Sequence, residues 1–389
     1  MLLAVGMVLI AANLRPAATS VGPLINQIRQ DTGLSATGAG VLATLPVLCF
    51  GALAPLAPPL ARRLGIHAAL AVSLTALVLG LLGRVVSGIA FLFIGTAVAG
   101  AAVAIGNVLL PVLVSRSFAG RTGFMTGLYT TSLIGFAALA AGITVPVVNW
   151  LGGGWRTGLA IWAVPAAIAL LVWLLQPRAE RDEPTAAHKQ IGSARTLLHS
   201  PLAWALTLFF ALQSAGFYAT LAWLPSVFES HGASASEAGL LLSLSIIVGV
   251  VMAPTVPAVA TRMHDQRALV LVFCACAVAG WVGIILAPMS APYLWALLLG
   301  AGQNALFPLA LTLIVLRGGT MESTAALSTM VQTGGYLLAA IAPFAIGALH
   351  DVAGSWTVPL IVLLAMMAPQ ALVGLAAARN KTVSVTPGS

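Results

Sequence analysis

Residues 177–200 read PRAERDEPTAAHKQIGSARTLLHS, the one long polar stretch in the chain. On either side the sequence is a succession of apolar runs separated by short charged or turn-rich connections. A membrane-spanning helix needs ~20 apolar residues, and the runs fit that length one by one. Before the polar stretch they fall near 2–27, 37–61, 68–86, 90–115, 123–148 and 157–176. After it they fall near 202–228, 237–260, 268–287, 291–316, 324–349 and 356–377. The stretch therefore divides the spans six and six and reads as a cytoplasmic linker (177–200) between an N-terminal half (1–176) and a C-terminal half (201–389). The expected fold is an all-α membrane protein of twelve transmembrane helices.

Composition requires the same class. Of the 389 residues 60% are apolar and 7% charged, against roughly 25% charged in soluble domains, and the mean hydropathy is +1.04. A water-soluble fold and a single-span anchor are both excluded. No basic segment precedes the first apolar run and no small-residue cleavage site follows it, so a cleaved signal peptide is not expected. Cys49, Cys274 and Cys276 all lie inside apolar runs and read as packing residues, neither a disulfide framework nor a metal site.

The net charge of +8 is spread singly or in pairs, unlike a nucleic-acid patch. Its distribution carries topology, because basic residues collect in cytoplasmic loops. With both termini cytoplasmic, the inner segments hold thirteen basic residues: Arg62, Arg63, Arg116, Arg121, Arg178, Arg181, Lys189, Arg195, Arg262, Arg267, Arg317, Arg379 and Lys381. The outer loops hold three, Arg29, Arg84 and Arg156. Arg15 belongs to neither side.

The halves also resemble one another. GLSATGAGVL (33–42) matches GASASEAGLL (232–241) at an offset of 199, and at the same offset APPLARRLGIHAAL (57–70) matches VPAVATRMHDQRAL (256–269). GNVLLP (106–111) matches QNALFP (303–308), pairing Asn107 with Asn304 and Pro111 with Pro308. Parallel six-helix repeats imply a two-fold axis along the membrane normal, with a site near the midplane between the halves.

These features resemble the major facilitator superfamily over essentially the whole chain. The superfamily's loop signature G-x-x-x-D-[RK]-x-G-[RK] falls on PLARRLGI, where Arg63 and Gly65 match while Pro58, Arg62 and Ile66 depart from it. NLRPAATSVGPL in the first span, AWLP in the seventh and the GNVLLP run resemble the cyanate and 2-nitroimidazole transporter family. The resemblance implies a major facilitator fold with two pseudo-symmetric halves in the plasma (inner) membrane, and a small polar or anionic solute moved by alternating access.

Ionisable groups at mid-depth are costly, on the order of 2.5–3.5 kcal/mol for a central Arg, and mark function. Arg15, about fourteen residues into the first span, is the candidate. Its forked cationic donor suits a small anion or a polar heterocycle. Asp31, Glu180, Asp182, Glu183, Glu229, Glu237, Asp265, Glu322, Asp351 and the six histidines fall in loops or at span ends. Asp31 and Glu229 read first as solvated helix ends and only second as gates. An embedded carboxylate proton switch is therefore absent, and the fifth span reads AGITVPVV rather than the drug-antiporter pattern G-x-x-x-G-P.

In the superfamily, helices 1, 4, 7 and 10 line the cavity, and mapping them here adds substrate-site candidates. These are Thr19, Asn107, Gln213, Phe217, Tyr218 and Asn304, with Tyr129, Gln332 and Tyr336 from the fifth and eleventh spans. Interhelical packing is the competing role for the Asn and Gln residues. Trp223 reads as an interface or gate aromatic. Pro46, Pro111, Pro146, Pro225, Pro254, Pro308 and Pro343, with Gly334 and Gly335, could bend their spans. No cofactor, metal or nucleic acid is expected. The partners expected are a small-molecule substrate and the lipid bilayer, and the protein is expected to be a monomer. The alternative is a non-transporting membrane sensor on the same fold; an enzyme is not expected, since no metal-ligand cluster or nucleophile–base pair is present.

Overall fold

A computed structural model describes residues 2–118, 121–176 and 197–383. Most of the predicted linker, including Arg178, Arg181, Lys189 and Arg195, lies outside the described residues. Among the described residues, twelve helices are long and apolar enough to cross a membrane. In the first half they are α1 (Leu2–Thr32), α2 (Ala36–Leu64), α3 (Ile66–Gly83), α4 (Ile89–Ser117), α5 (Phe124–Leu151) and α6 (Trp155–Leu174). In the second they are α7 (Pro201–Ser230), α8 (Ala235–Ala260), α9 (Arg267–Leu286), α10 (Pro292–Gly318), α11 (Ser323–Ala353) and α12 (Thr357–Ala377). Among the described residues all regular structure is helical. The helix ends lie within a few residues of those read from the sequence.

The internal repeat is visible as identical local chemistry. Gly33 and Gly232 take φ of 73° and 96°, a left-handed conformation that L side chains rarely adopt. Two residues on, Ser35 and Ser234 cap α2 and α8, each hydroxyl accepting a backbone N–H, from Gly38 at 3.1 Å and Glu237 at 3.2 Å. Such caps satisfy helix N–H groups that have no partner of their own. One turn further, Gly40 and Gly239 bring α2 and α8 against the opposite half. A Cβ on Gly40 would sit 2.6 Å from the Pro343 carbonyl oxygen of α11, and one on Gly239 would sit 2.7 Å from that of Ala141 in α5. These two contacts between the halves are thus pseudo-symmetric, α2 on α11 and α8 on α5.

Twelve successive antiparallel helices leave the start of α1 and the end of α12 at one end of the bundle. The halves meet at the other end. There the Thr44 hydroxyl donates to the Ala340 carbonyl at 2.8 Å. Asp351 of α11 accepts the first N–H groups of α2, from Ala36 at 3.0 Å and Thr37 at 2.6 Å, an arrangement favoured by the helix dipole. Asn26 of α1 donates to Glu229 of α7 at 2.8 Å and accepts from Ser226 at 3.0 Å. Glu229 is accordingly half-buried and bound across the interface, not a solvated helix end, because α1 and α7 converge at this level. Asp31 stays within its half, accepting from Trp155 and Arg156 at the surface.

Two arginines read as loop charges are buried. Arg84, directly after α3, is 0% exposed, and Arg317, near the end of α10, is 3% exposed. Arg317 donates to the Ala377 and Ala378 carbonyls at the end of α12, and to Gln266. In both cases the guanidinium takes up helix-end carbonyls that have no intrahelical donor.

The glycine contact defines a first test. In Gly40→Leu the side chain meets the Pro343 backbone, and such overpacking costs ~1–3 kcal/mol, enough to shift closure about tenfold. A Thr44→Cys reporter, buried beside the contact, should react with maleimide about tenfold faster in the Gly40→Leu background; equal rates would show that this contact does not hold the halves together.

Candidate functional site

A cavity of about 660 Å³ lies between the halves. Its lining begins at the level of Arg15 and Thr19 and continues toward the end that carries the termini. There Thr126, Thr261 and Val315 are exposed and form its mouth. The opposite end is closed by the contacts described above.

The position of Arg15 follows from the residue after it. Proline has no N–H and its ring clashes with the carbonyl four residues back, so Pro16 interrupts α1. Regular helix stops at Asn13, turns through Leu14 and Arg15, and restarts as Pro16–Thr19. The Arg15 carbonyl opens the new turn, accepting from Ala18 and Thr19 N–H, each at 3.0 Å, and from the Thr19 hydroxyl at 3.2 Å. On the proximal side, Asn13 donates to the carbonyls of Leu9 at 2.8 Å and of Pro165 in α6 at 3.1 Å. The arginine thus stands on a broken helix midway along α1, its side chain in the cavity wall.

From there Arg15 Nη1 reaches across to the other half and donates to the Tyr218 hydroxyl of α7 at 3.0 Å. Tyr218 belongs to an aromatic cluster. Tyr336 of α11 stands edge-on to Tyr218 (6.4 Å between ring centres), to Phe50 of α2 (5.8 Å) and to Phe210 (5.0 Å), and Phe217 stands edge-on to Tyr218 (5.3 Å). Among the described residues no carboxylate and no second cation lines the cavity. One fixed positive charge therefore faces a space bounded by rings, hydroxyls and amides.

All ten residues proposed from the sequence line this cavity: Arg15, Thr19, Asn107, Tyr129, Gln213, Phe217, Tyr218, Asn304, Gln332 and Tyr336. Their hydrogen bonds divide them. Asn304 is committed to packing, donating to the Ser245 carbonyl of α8 at 2.8 Å and the Gly300 carbonyl at 3.0 Å. Gln332 donates to Ser328 at 2.7 Å and Gln213 to Ser214 at 2.6 Å, both contacts within a helix. The repeat pair Asn107 and Asn304 thus has different surroundings: Asn304 ties two helices together, and Asn107 faces the space. Sequence reasoning missed Gln303, which borders the cavity while donating to Thr220 at 3.0 Å, and Phe50, Thr126, Thr130 and Thr333. Gln303 immediately precedes Asn304 inside the repeat QNALFP, the signal that pointed to it. Trp223 does not line the cavity; it is buried and donates to the Pro343 carbonyl at 2.8 Å.

Comparison with known proteins agrees with this architecture. Residues 3–343 match the Major Facilitator Superfamily. The chain is 40% identical to the uncharacterized transporter YycB of Bacillus subtilis, across 97% of this chain and 94% of that protein. It is 36% identical to the 2-nitroimidazole transporter of Escherichia coli (97% and 95% covered) and 33% identical to the cyanate transport protein CynX of the same organism (90% of each). Among solved structures, a bacterial homologue of the human lysosomal transporter Spinster, inward-facing and occupied, superposes with a TM-score of 0.80 at 12% identity, covering 99% and 98% of the two chains. The nucleoside transporter NupG gives 0.79 at 13%, covering 98% and 100%. Twelve helices in two repeat-related halves around a central cavity, with relatives of this similarity along nearly the whole chain, identify the protein as a member of the Major Facilitator Superfamily.

Proposed function

We propose that the protein is a transporter that moves a small polar or anionic solute, of cyanate-like or 2-nitroimidazole-like chemistry, across the plasma membrane by alternating access, and that it works as a monomer. The observation that carries this reading is the lone Arg15 guanidinium in the wall of a cavity without a carboxylate among the described residues. A cation with no counter-ion at mid-depth is expensive, and a negative or strongly electron-rich solute would offset that cost on binding. The guanidinium fork would meet planar acceptors such as a nitro group or a small linear anion. The aromatic rings of Tyr218, Tyr336 and Phe50 would bound its flat faces, and Asn107, Thr19 and Tyr129 would supply neutral donors and acceptors.

With both termini in the cytoplasm, as the distribution of basic residues favours, the cavity opens inward. Opening to the other side then requires parting α1 from α7 and α2 from α11, where Asn26–Glu229 and the Asp351 cap on α2 close the protein. Arg15 and Tyr218 sit below this seal, one on each half, so their hydrogen bond reports on how closely the halves approach.

Hydrogen bonds to a charged partner contribute ~1.5–3 kcal/mol, so Arg15→Ala and Arg15→Lys should weaken probe binding about 10- to 100-fold at unchanged melting temperature. Thermal-shift titration with cyanate, nitrate and 2-nitroimidazole reads this out, and wild-type affinity in either variant would refute recognition by Arg15.

Tyr218→Phe removes the acceptor that orients the guanidinium and should weaken binding of the same probes by about tenfold. Uptake of a radiolabelled probe into proteoliposomes separates transport from sensing: saturable uptake above protein-free vesicles is expected, and binding without uptake would favour a sensor.

A further inference from the structure

Arg84 is a fully buried cation of the N-terminal half, and its surroundings differ from those of the partly exposed Arg15. Arg84 does not line the central cavity, and among the described residues it makes no ion pair. Its Nη1 donates to the Ala17 carbonyl of α1 at 2.7 Å and its Nη2 to the Leu159 carbonyl of α6 at 3.2 Å. Burying a guanidinium with two neutral carbonyl acceptors and its Nε unpartnered is unfavourable for packing alone. An apolar side chain of similar volume would fill the space at lower cost.

Both acceptors sit where a helix is interrupted. Ala17 lies in the single turn Pro16–Thr19 that begins at the Arg15 carbonyl, two residues from Arg15. The N–H of Val21, four residues on, bonds instead to Ala18, so the Ala17 carbonyl is free to receive Arg84. Leu159 lies one residue before the end of the short segment Trp155–Ala160, after which α6 turns through Ile161 and Trp162 and restarts at Ala163. On the other side of the same breaks, Asn13 of α1 binds the Pro165 carbonyl of α6. The interruptions of α1 and α6 are therefore fastened to each other at two levels, by Asn13 below Arg15 and by Arg84 above it. Arg84 itself is held by the backbone: α3 approaches α4 so closely at Gly80 and Gly95 that a Cβ on Gly95 would strike the Arg84 backbone.

We propose that Arg84 is a positioning residue for recognition at Arg15: by clamping Ala17 to α6 it fixes the turn on which Arg15 stands, and so the direction in which the Arg15 guanidinium enters the cavity. The proposal rests on the reading of Arg15 as the solute-binding cation. It assigns no solute contact to Arg84. A short turn flanked by proline and a 3-10 segment has few internal hydrogen bonds to hold it, and the fork of Arg84 supplies an external anchor that lysine, with a single point charge, reproduces only in part.

The test uses the full-length protein in detergent, with Arg84→Gln, Arg84→Lys, Arg15→Gln and the double variant Arg15→Gln/Arg84→Gln. Hydrogen–deuterium exchange should rise about tenfold across residues 14–21 in Arg84→Gln, less in Arg84→Lys, with α7 to α12 unchanged. Unchanged exchange in residues 14–21, or a uniform rise over all helices, overturns the proposal. Binding of nitrate and 2-nitroimidazole by thermal shift should weaken about tenfold in Arg84→Gln with partial recovery in Arg84→Lys. If either probe still binds measurably to Arg15→Gln, adding Arg84→Gln should weaken it no further, and an equal loss there overturns the proposal. Should Arg84→Gln fail to fold, Arg84→Lys alone decides through the same exchange window. If the wild type binds no probe, the functional reading of Arg15 fails, and the exchange result still decides whether Arg84 positions the turn.

Discussion

A proline one residue past an arginine, at the middle of a membrane helix, sets the terms for the rest of this molecule. Pro16 deprives α1 of a hydrogen bond and forces a restart, and several groups around the restart take up its carbonyls. Asn13 takes up carbonyls on one side, Thr19 and the Ala18 and Thr19 amides gather on the Arg15 carbonyl, and Arg84 receives Ala17. The guanidinium of Arg15 has little else to bind in its own half and extends to Tyr218 in the other. The backbone defect and the charge form one feature, since an uninterrupted helix would offer Arg15 no special direction.

The two halves repeat their frame and diverge in their chemistry. The Ser35 and Ser234 caps, the Gly40 and Gly239 contacts and the Asn107 and Asn304 positions all recur with the period of a half. The cation does not recur: the corresponding helix of the second half, α7, runs from Pro201 to Ser230 without a break and presents Tyr218 and Gln213. The asymmetry places the cation on one half and Tyr218, Tyr336 and Phe217 on the other, so a solute bound as proposed between them would touch both. This suits a two-half protein in which binding and relative movement of the halves are linked.

Much of this was legible in the sequence because the membrane makes composition informative. Apolar runs gave helix limits to within a few residues, the offset of 199 pointed to two parallel six-helix halves, and the scarcity of charge singled out Arg15. All ten candidate residues border the cavity, since assigning helices to the wall by homology is enough to select polar side chains on them. What remained hidden were groups whose role depends on distant backbone. Arg84 and Arg317 sit at helix ends and look like loop charges, yet both are buried on carbonyls supplied by other helices. Glu229 read as solvated because its partner Asn26 is 203 residues away. The competing roles of Asn107 and Asn304 could be separated only by seeing which amide already has acceptors.

The closed end of the bundle has a further consequence. Beside the side chains of Asn26, Glu229, Asp351 and Thr44, its contacts draw on main-chain atoms: the carbonyls of Pro343, Ala141 and Ala340, and the amides of Ala36 and Thr37. Fixing a long side chain costs as much as ~2 kcal/mol of rotamer freedom, whereas backbone already ordered within a helix and glycine without a side chain lose almost none. Contacts of this kind form at little cost in conformational entropy, less than for a seal made of long side chains alone.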